Sequence, residues 1–111
     1  MKYLVTMELV GAPPEMPEEL LQHVEEVIIP SHEAFMKLEA EGKILAGGDL
    51  TGRRGSVFIL EADSNAEVSE ILMSLPSWST QDVDVVPLED FEHRQATHQQ
   101  YADRLKAILG E

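Results

Sequence analysis

One histidine stands apart chemically from the rest of the chain. His32 follows Pro30 and Ser31 inside a run of helical periodicity, Val27-Ile28-Ile29-Pro30-Ser31-His32-Glu33-Ala34-Phe35. An imidazole titrates near pH 6.5, which suits it to move protons at neutral pH. At helical spacing His32 follows Ile28 and lies on the rim of the apolar stripe, with Leu21, Met36 and Glu39. An acidic residue such as Glu39 or Asp84 would orient the ring or share the proton. Phe35, Met36 and Trp78 would supply apolar walls. The competing reading is a half-buried histidine with no role.

Other side chains carry weaker chemistry. Asp82 and Asp84 share one face of an otherwise apolar strand. Facing solvent they protect an edge; facing an interior, one becomes a base with a raised pKa. Arg53 and Arg54 sit at a hairpin tip, where a bidentate contact to a substrate carboxylate is the functional reading and pairing with a neighbouring subunit the structural one. Trp78 follows a helix-stopping proline and closes either a pocket or an interface. His93 and His98 lack the tighter spacing and third ligand of a metal site. The glycine-rich stretch from Gly47 to Gly55 lacks the Gly-Lys-Ser/Thr ending of a nucleotide loop. No metal and no cofactor is expected.

The totals narrow the partners. The chain has 111 residues, 43% of them hydrophobic, no cysteine, and a formal net charge of -13. One domain with a real core is expected. So acidic a surface repels phosphate backbones and anionic lipid, so neither nucleic acid nor membrane is an expected partner. No leader pattern or membrane-spanning run is visible, and a cytoplasmic protein is expected.

These residues must be held by elements that the spacing predicts. Lys2 to Leu9 alternates as a strand, with Tyr3, Val5 and Met7 on one face and Leu4 and Thr6 on the other. Leu20, Val24, Val27, Ile28, Phe35 and Leu38 predict one helix over Pro17 to Glu41, continuous but kinked near Pro30 and closed by Gly42. Ile44 to Leu50 and Ser56 to Glu61 are strands of a hairpin, and Gly47-Gly48 marks a bulge or a close approach. A second helix runs from about Ser64 to Ser74, with Ala66, Ile71, Leu72 and Leu75 as its buried side. A last strand runs from Gln81 to Leu88. The order is the ferredoxin-like βαββαβ arrangement: an antiparallel sheet with both helices on one face. Residues 1–90 form this α+β domain. Residues 91–111 form a helical extension, capped at Thr97 with Gln100 three residues on, that must dock on its own or a neighbouring subunit. The two-sided apolar character of the first strand implies a homo-oligomer built on dimers.

Two stretches carry a family resemblance. Leu72-Met73-Ser74-Leu75-Pro76-Ser77-Trp78 and the following Asp82-Val83-Asp84-Val85 resemble the end of muconolactone isomerase-type chains, as do the Glu41-Gly42 helix exit and Gly55-Ser56-Val57-Phe58. The resemblance spans about Met1 to Leu88. Pro30-Ser31-His32 with Glu41-Gly42-Lys43-Ile44-Leu45-Ala46-Gly47-Gly48 is similar, more weakly, to YCII-like proteins, which pair such a histidine with an aspartate near the end of the second helix. Here that place holds Ser74-Leu75-Pro76, so the dyad does not carry over. Both resemblances imply a dimeric α/β barrel. The first implies a cofactor-independent isomerase or cyclase that transfers a proton within a small unsaturated lactone or enone. The alternatives are a non-catalytic binder of a small ligand or an assembly module. The same fold group also holds cofactorless monooxygenases and haem-binding barrels.

Overall fold

The computed structural model describes residues 1–111. Its elements run β1 Lys2–Leu9, α1 Pro17–His23, a π-helical turn Val24–Ile28, α2 Ile29–Ala40, β2 Ile44–Asp49, β3 Gly55–Glu61, α3 Asn65–Met73, a short 3-10 turn Trp78–Thr80, β4 Gln81–Leu88 and α4 Phe91–Leu109. The sheet has the order β2-β3-β1-β4 with every neighbouring pair antiparallel. This is the expected ferredoxin-like α+β fold with an added C-terminal helix.

Alternation on β1 decides the two faces. Tyr3, Val5 and Met7 are buried beneath α2 and α3, with Phe58 and Leu60 of β3 and Val68 and Leu72 of α3. The Tyr3 hydroxyl donates to the Asn65 side chain at 3.1 Å, so the one polar atom of this buried ring is paired where α3 begins. Ser64 caps α3 by accepting from the Glu67 amide at 3.1 Å. Val68 takes the buried place expected of Ala66, which lies exposed in the first turn.

The other face of the sheet carries no element of this chain. Register pairs Leu4 with Ile59 and Val86, and Thr6 with Val57 and Asp84. Leu4, Val57 and Ile59 are partly covered, while Val86 and Leu88 are exposed. An apolar patch thus lies at one end of this open face. Glu8, Asp82 and Asp84 lie toward the other end.

The long first helix is continuous in backbone conformation, but Pro30 is accommodated by a specific device. The Ile29 amide reaches back five residues to the Val24 carbonyl, and Val24, Ile28 and Ile29 all keep right-handed helical angles. The wider π turn just before Pro30 relieves the crowding that its ring would impose on the preceding turn. The expected disruption near Pro30 takes this form. Only the second half of the helix packs on the core, through Ala34, Phe35 and Leu38. No residue of α1 is buried, and Leu20 and Leu21 remain exposed.

Beyond β4, α4 starts at Phe91, six residues before the expected cap. Thr97 lies inside the helix and its hydroxyl donates to the His93 carbonyl at 3.3 Å. That back-bonding is the ordinary alternative to capping for a threonine within a helix. None of the 19 residues of α4 is buried. The helix projects from the body, so the radius of gyration is 19.4 Å against about 13 Å for a compact chain of this length. Its expected docking is not made on its own chain. No helix is long and apolar enough to cross a membrane.

Candidate active site

The site begins with a one-residue irregularity in β2. Register shifts between Ile44 and Ala46, which leaves Leu45 as an extra residue. Because strand side chains alternate, that single insertion reverses the parity of everything after it. Gly47 therefore lies opposite Phe58, and Asp49 opposite Ser56, both on the helix-covered face. Gly47 adopts φ +145, and a Cβ there would lie 2.4 Å from the Val57 carbonyl oxygen and 2.6 Å from the Phe58 Cα. Only glycine fits where β3 approaches so closely. The expected close approach at Gly47-Gly48 comes from the neighbouring strand, and the bulge falls two residues earlier.

From α2, His32 reaches this strand end. Its Nε2 lies 2.5 Å from Asp49 Oδ2, and its Nδ1 lies 3.0 Å from the Ile28 carbonyl oxygen. A carbonyl only accepts, so Nδ1 carries a proton and donates. Nε2–H then donates to the carboxylate, and the ring is an imidazolium. Asp49 Oδ1 also accepts from the Ser56 hydroxyl at 2.7 Å. Ser56 is buried, whereas the His32 and Asp49 side chains are 44% and 54% exposed.

The titration behaviour follows. The hydrogen bond to Asp49 holds the His32 pKa above its ordinary 6.5, against a smaller opposing effect of burial, with help from the Ile28 carbonyl. For Asp49, burial pushes the pKa up most, but the hydrogen bonds from Ser56 and His32 and the imidazolium charge outweigh it together. The net direction is below 3.8.

Two hollows meet at this pair. The first, about 250 Å³, lies between α2 and the β2–β3 hairpin, walled by Phe35, Met36, Ile44 and Phe58, with Glu39 and Gly48 at its margin. The Phe35 ring stands edge-on to His32 at 6.1 Å and tilts against Phe58 at 5.3 Å. The second, about 370 Å³, lies on the far side of the pair. Leu9, Leu20 and Ile28 give it apolar walls, Arg53 and Arg54 give it cationic groups, and His23 also lines it. His32, Asp49 and Ser56 line both hollows, so the pair forms the waist of one groove.

Of the residues expected at a site, His32, Phe35, Met36 and Glu39 are brought together in the first hollow. Arg53 lines the second, with its guanidinium held by Glu8 at 3.0 Å. Asp84 is not among them. It pairs in register with Thr6 on the open face of the sheet, the side away from His32. Alternation places it there, since Val83 and Val85 take the covered side. Trp78 lines neither hollow; it opens the 3-10 turn, its amide donating to the Leu75 carbonyl at 3.0 Å, and is 38% exposed. Asp49 and Ser56 are the functional-looking residues that sequence reasoning missed. No group of three or more metal-ligating side chains is assembled anywhere in the chain.

Residues 1–96 match the muconolactone delta-isomerase family. No curated protein matches the sequence. Among solved structures, the fold is similar to that of 5-chloro-2-hydroxyhydroquinone dehydrochlorinase from Burkholderia phenoliruptrix AC1100 in complex with 2,5-dihydroxybenzoquinone. That likeness has a TM-score of 0.60 at 20% identity and covers 84% of this chain and 98% of the other. It is also similar to muconolactone isomerase, with a TM-score of 0.68 at 19% identity over 81% of this chain and 90% of the other.

Proposed function

The chain belongs to the muconolactone delta-isomerase family, and we propose that it is a small-molecule isomerase or lyase that moves a proton within an unsaturated carbonyl compound, with His32 as the proton carrier. The observation that carries this reading is the His32–Asp49 pair at the waist of an apolar-walled groove. The names of two structural neighbours, an isomerase and a dehydrochlorinase, support the same class of chemistry.

The mechanism follows from the hydrogen bonds. In its neutral form the ring keeps Nδ1–H on the Ile28 carbonyl, and its Nε2 lone pair becomes free for the groove once the Asp49 carboxylate swings away from it as substrate enters. Nε2 takes a proton from the saturated carbon at one end of the unsaturated carbonyl system, the γ-carbon where the double bond is conjugated with the carbonyl, and the electron pair moves into that system as a dienolate. Asp49 stabilises the imidazolium that forms, and the imidazolium lies against the enolate charge. Nε2 then returns the proton to the other end of the dienolate. Where a saturated carbon attached to that end bears a leaving group, the electron pair forms a new double bond to it and expels the group, which replaces reprotonation. Proton and electrons balance without a cofactor. Ser56 holds Asp49 in place, and Phe35, Met36 and Phe58 exclude water from the reacting carbons. Glu39 at the margin would relay the proton to solvent.

The test is deuterium exchange. Muconolactone and simpler conjugated butenolides, incubated with the protein in D2O, should exchange the proton on the saturated γ-carbon of the ring, followed by proton NMR. His32→Ala should slow exchange by about 10²- to 10⁴-fold, the usual worth of a general base, with an unchanged far-ultraviolet spectrum. Activity should fall as pH falls through the raised His32 pKa, because the protonated ring cannot accept. Exchange in the variant at the wild-type rate would overturn the assignment.

The same reading includes a homodimer. Leu4, Val57, Ile59 and Val86 form an apolar patch on a sheet face that this chain leaves uncovered, and a second copy meeting it sheet to sheet would bury it. The exposed α4 would then dock on that copy.

A further inference from the structure

We infer that α4 is an intermolecular clasp: its exposed apolar stripe and Arg104 pack on the acidic end of the open sheet face of a second copy, against Asp82 and Asp84. The inference rests on the sheet-to-sheet homodimer of the proposed function. It goes beyond that reading by naming what the helix covers.

Two uncovered surfaces carry it. The first is α4 itself. None of its 19 residues is buried, and Phe91 and Ile108 are 95% and 79% exposed. At helical spacing Tyr101, Arg104, Leu105 and Ile108 share one face, and the Arg104 guanidinium lies over the Tyr101 ring at 5.9 Å. A helix draws most of its stability from packing such a face. Residues 97–111, which hold that face, lie beyond the matched residues 1–96, so the family's fold does not account for it. α4 is also the only element with more cations than carboxylates: Arg94, Arg104 and Lys106 against Glu92 and Asp103, in a chain of formal net charge -13. Arg94 is held by Glu89 at 3.0 Å, but Arg104 and Lys106 enter none of the ion pairs of the chain. The second surface is the acidic end of the open sheet face. Glu8 there is held by Arg53, whereas Asp82 and Asp84 are exposed and have no cationic partner.

Geometry and charge join the two. α4 leaves the sheet at the apolar end of the open face, where Phe91 lines a hollow of about 680 Å³ together with Lys2, Ile59 and Leu88 of that face. The molecule measures 71 × 29 × 23 Å, so α4 prolongs it past the sheet end instead of folding back. Two copies that met in parallel along their whole sheets would set acidic end on acidic end, which like charges oppose. An antiparallel pair that meets at the apolar ends avoids this, and each copy then extends along the α4 of the other. With 19 residues α4 is about 28 Å long, and β4 with 8 residues is about 27 Å long. The helix of one copy thus spans the strand that carries Asp82 and Asp84 in the other, and a two-fold axis makes the exchange reciprocal.

The chain has no cysteine, so introduced thiols report the contact cleanly. Full-length Arg104→Cys and Asp84→Cys are purified separately, mixed, left to exchange subunits and treated with a short bis-maleimide. The mixture should give a cross-linked dimer on denaturing gels, and neither variant alone should. No cross-link in the mixture overturns the inference. So does cross-linking of Arg104→Cys alone, which would set α4 against α4, or an intrachain link in the double variant, which would return the helix to its own sheet. Charge reversal tests the same contact. Arg104→Glu should raise the dimer dissociation constant in sedimentation about tenfold, the scale of one charged contact, with an unchanged far-ultraviolet spectrum. Asp84→Arg in the same chain should bring it back to within about threefold of wild type, as coupled residues do. A dimer unmoved by Arg104→Glu leaves the sheet-to-sheet homodimer standing and refutes the clasp. A wild type that is monomeric at micromolar concentration refutes both.

Discussion

Replacing Asp49 with Asn isolates what the carboxylate does for His32. The amide keeps an oxygen for the Ser56 hydroxyl, now 2.7 Å from Oδ1. Its nitrogen, however, would bring two donors together if it faced an Nε2–H. The ring escapes by losing that proton and accepting from the amide. The largest influence that raises the His32 pKa is the Asp49 hydrogen bond, so the pKa must fall in Asp49→Asn. Proton NMR of the His32 ring across pH 4 to 10 reads this directly.

Stability should respond only within a window. A raised histidine pKa contributes stability that is complete below the unfolded value of 6.5 and is lost as pH rises through the folded value. A lowered aspartate pKa contributes stability above 3.8 that is lost as pH falls through the folded value. The pair therefore helps most between about pH 4 and 6.5. Both side chains are substantially exposed, at 44% and 54%, so its worth is that of a solvent-screened pair, about 0.2 to 1 kcal/mol. At about 4 to 8 °C per kcal/mol, the melting gap between wild type and Asp49→Asn should stay below about 8 °C. It should be clear at pH 5.5, shrink at alkaline pH and shrink in 1 M salt. A His32 midpoint unmoved by the substitution, or a melting gap that widens with alkaline pH, would refute the reasoning.

Three further outcomes are expected. Gly47→Ala should destabilise by about 1 to 3 kcal/mol in urea melts, because the new methyl meets backbone of β3 at 2.4 and 2.6 Å; Gly48→Ala, with nothing within 4 Å, should cost far less, and equal costs would contradict the close approach. Ile59→Asp places a charge on the open sheet face and should turn the proposed dimer into a folded monomer by light scattering; a wild type already monomeric at micromolar concentration would remove the reason for it. Ser64→Ala removes the cap of α3 and should cost about 1 kcal/mol, read as a lower urea midpoint at unchanged slope.

Much of the frame was legible because it obeys short-range rules. The alternation of Tyr3, Val5 and Met7 fixes the buried face of β1, and Ser64 and Gly42 mark helix ends through local backbone chemistry. His32 was legible from its place on the rim of a periodic stripe. The start of α4 was not, because Thr97 and Gln100 have capping spacing that the helix simply runs through. Capping spacing is a weak signal when helical residues precede it. Asp84 was grouped with His32 although the two lie on opposite faces of the sheet, because alternation tells which residues of a strand share a face. It does not tell which face the helices cover.

Asp49 shows the harder limit. Counted from buried Ile44, strict alternation sends Ala46 and Gly48 to the covered face and Asp49 to the open one, beside a glycine-containing turn where an aspartate draws no notice. The unpaired Leu45 reverses that count. One extra residue, set by pairing with a strand more than ten positions away, carries Asp49 across the sheet to the ring of His32. The YCII-like resemblance implied an aspartate near the end of the second helix, and this chain has none there. It supplies the carboxylate from β2 instead, at the same end of the sheet as the π turn that accommodates Pro30. Sequence spacing records neither the bulge nor the meeting. The meeting of Asp49 with His32 therefore depends on a register shift, and an aspartate one position earlier in β2, at Gly48, would face away from the histidine.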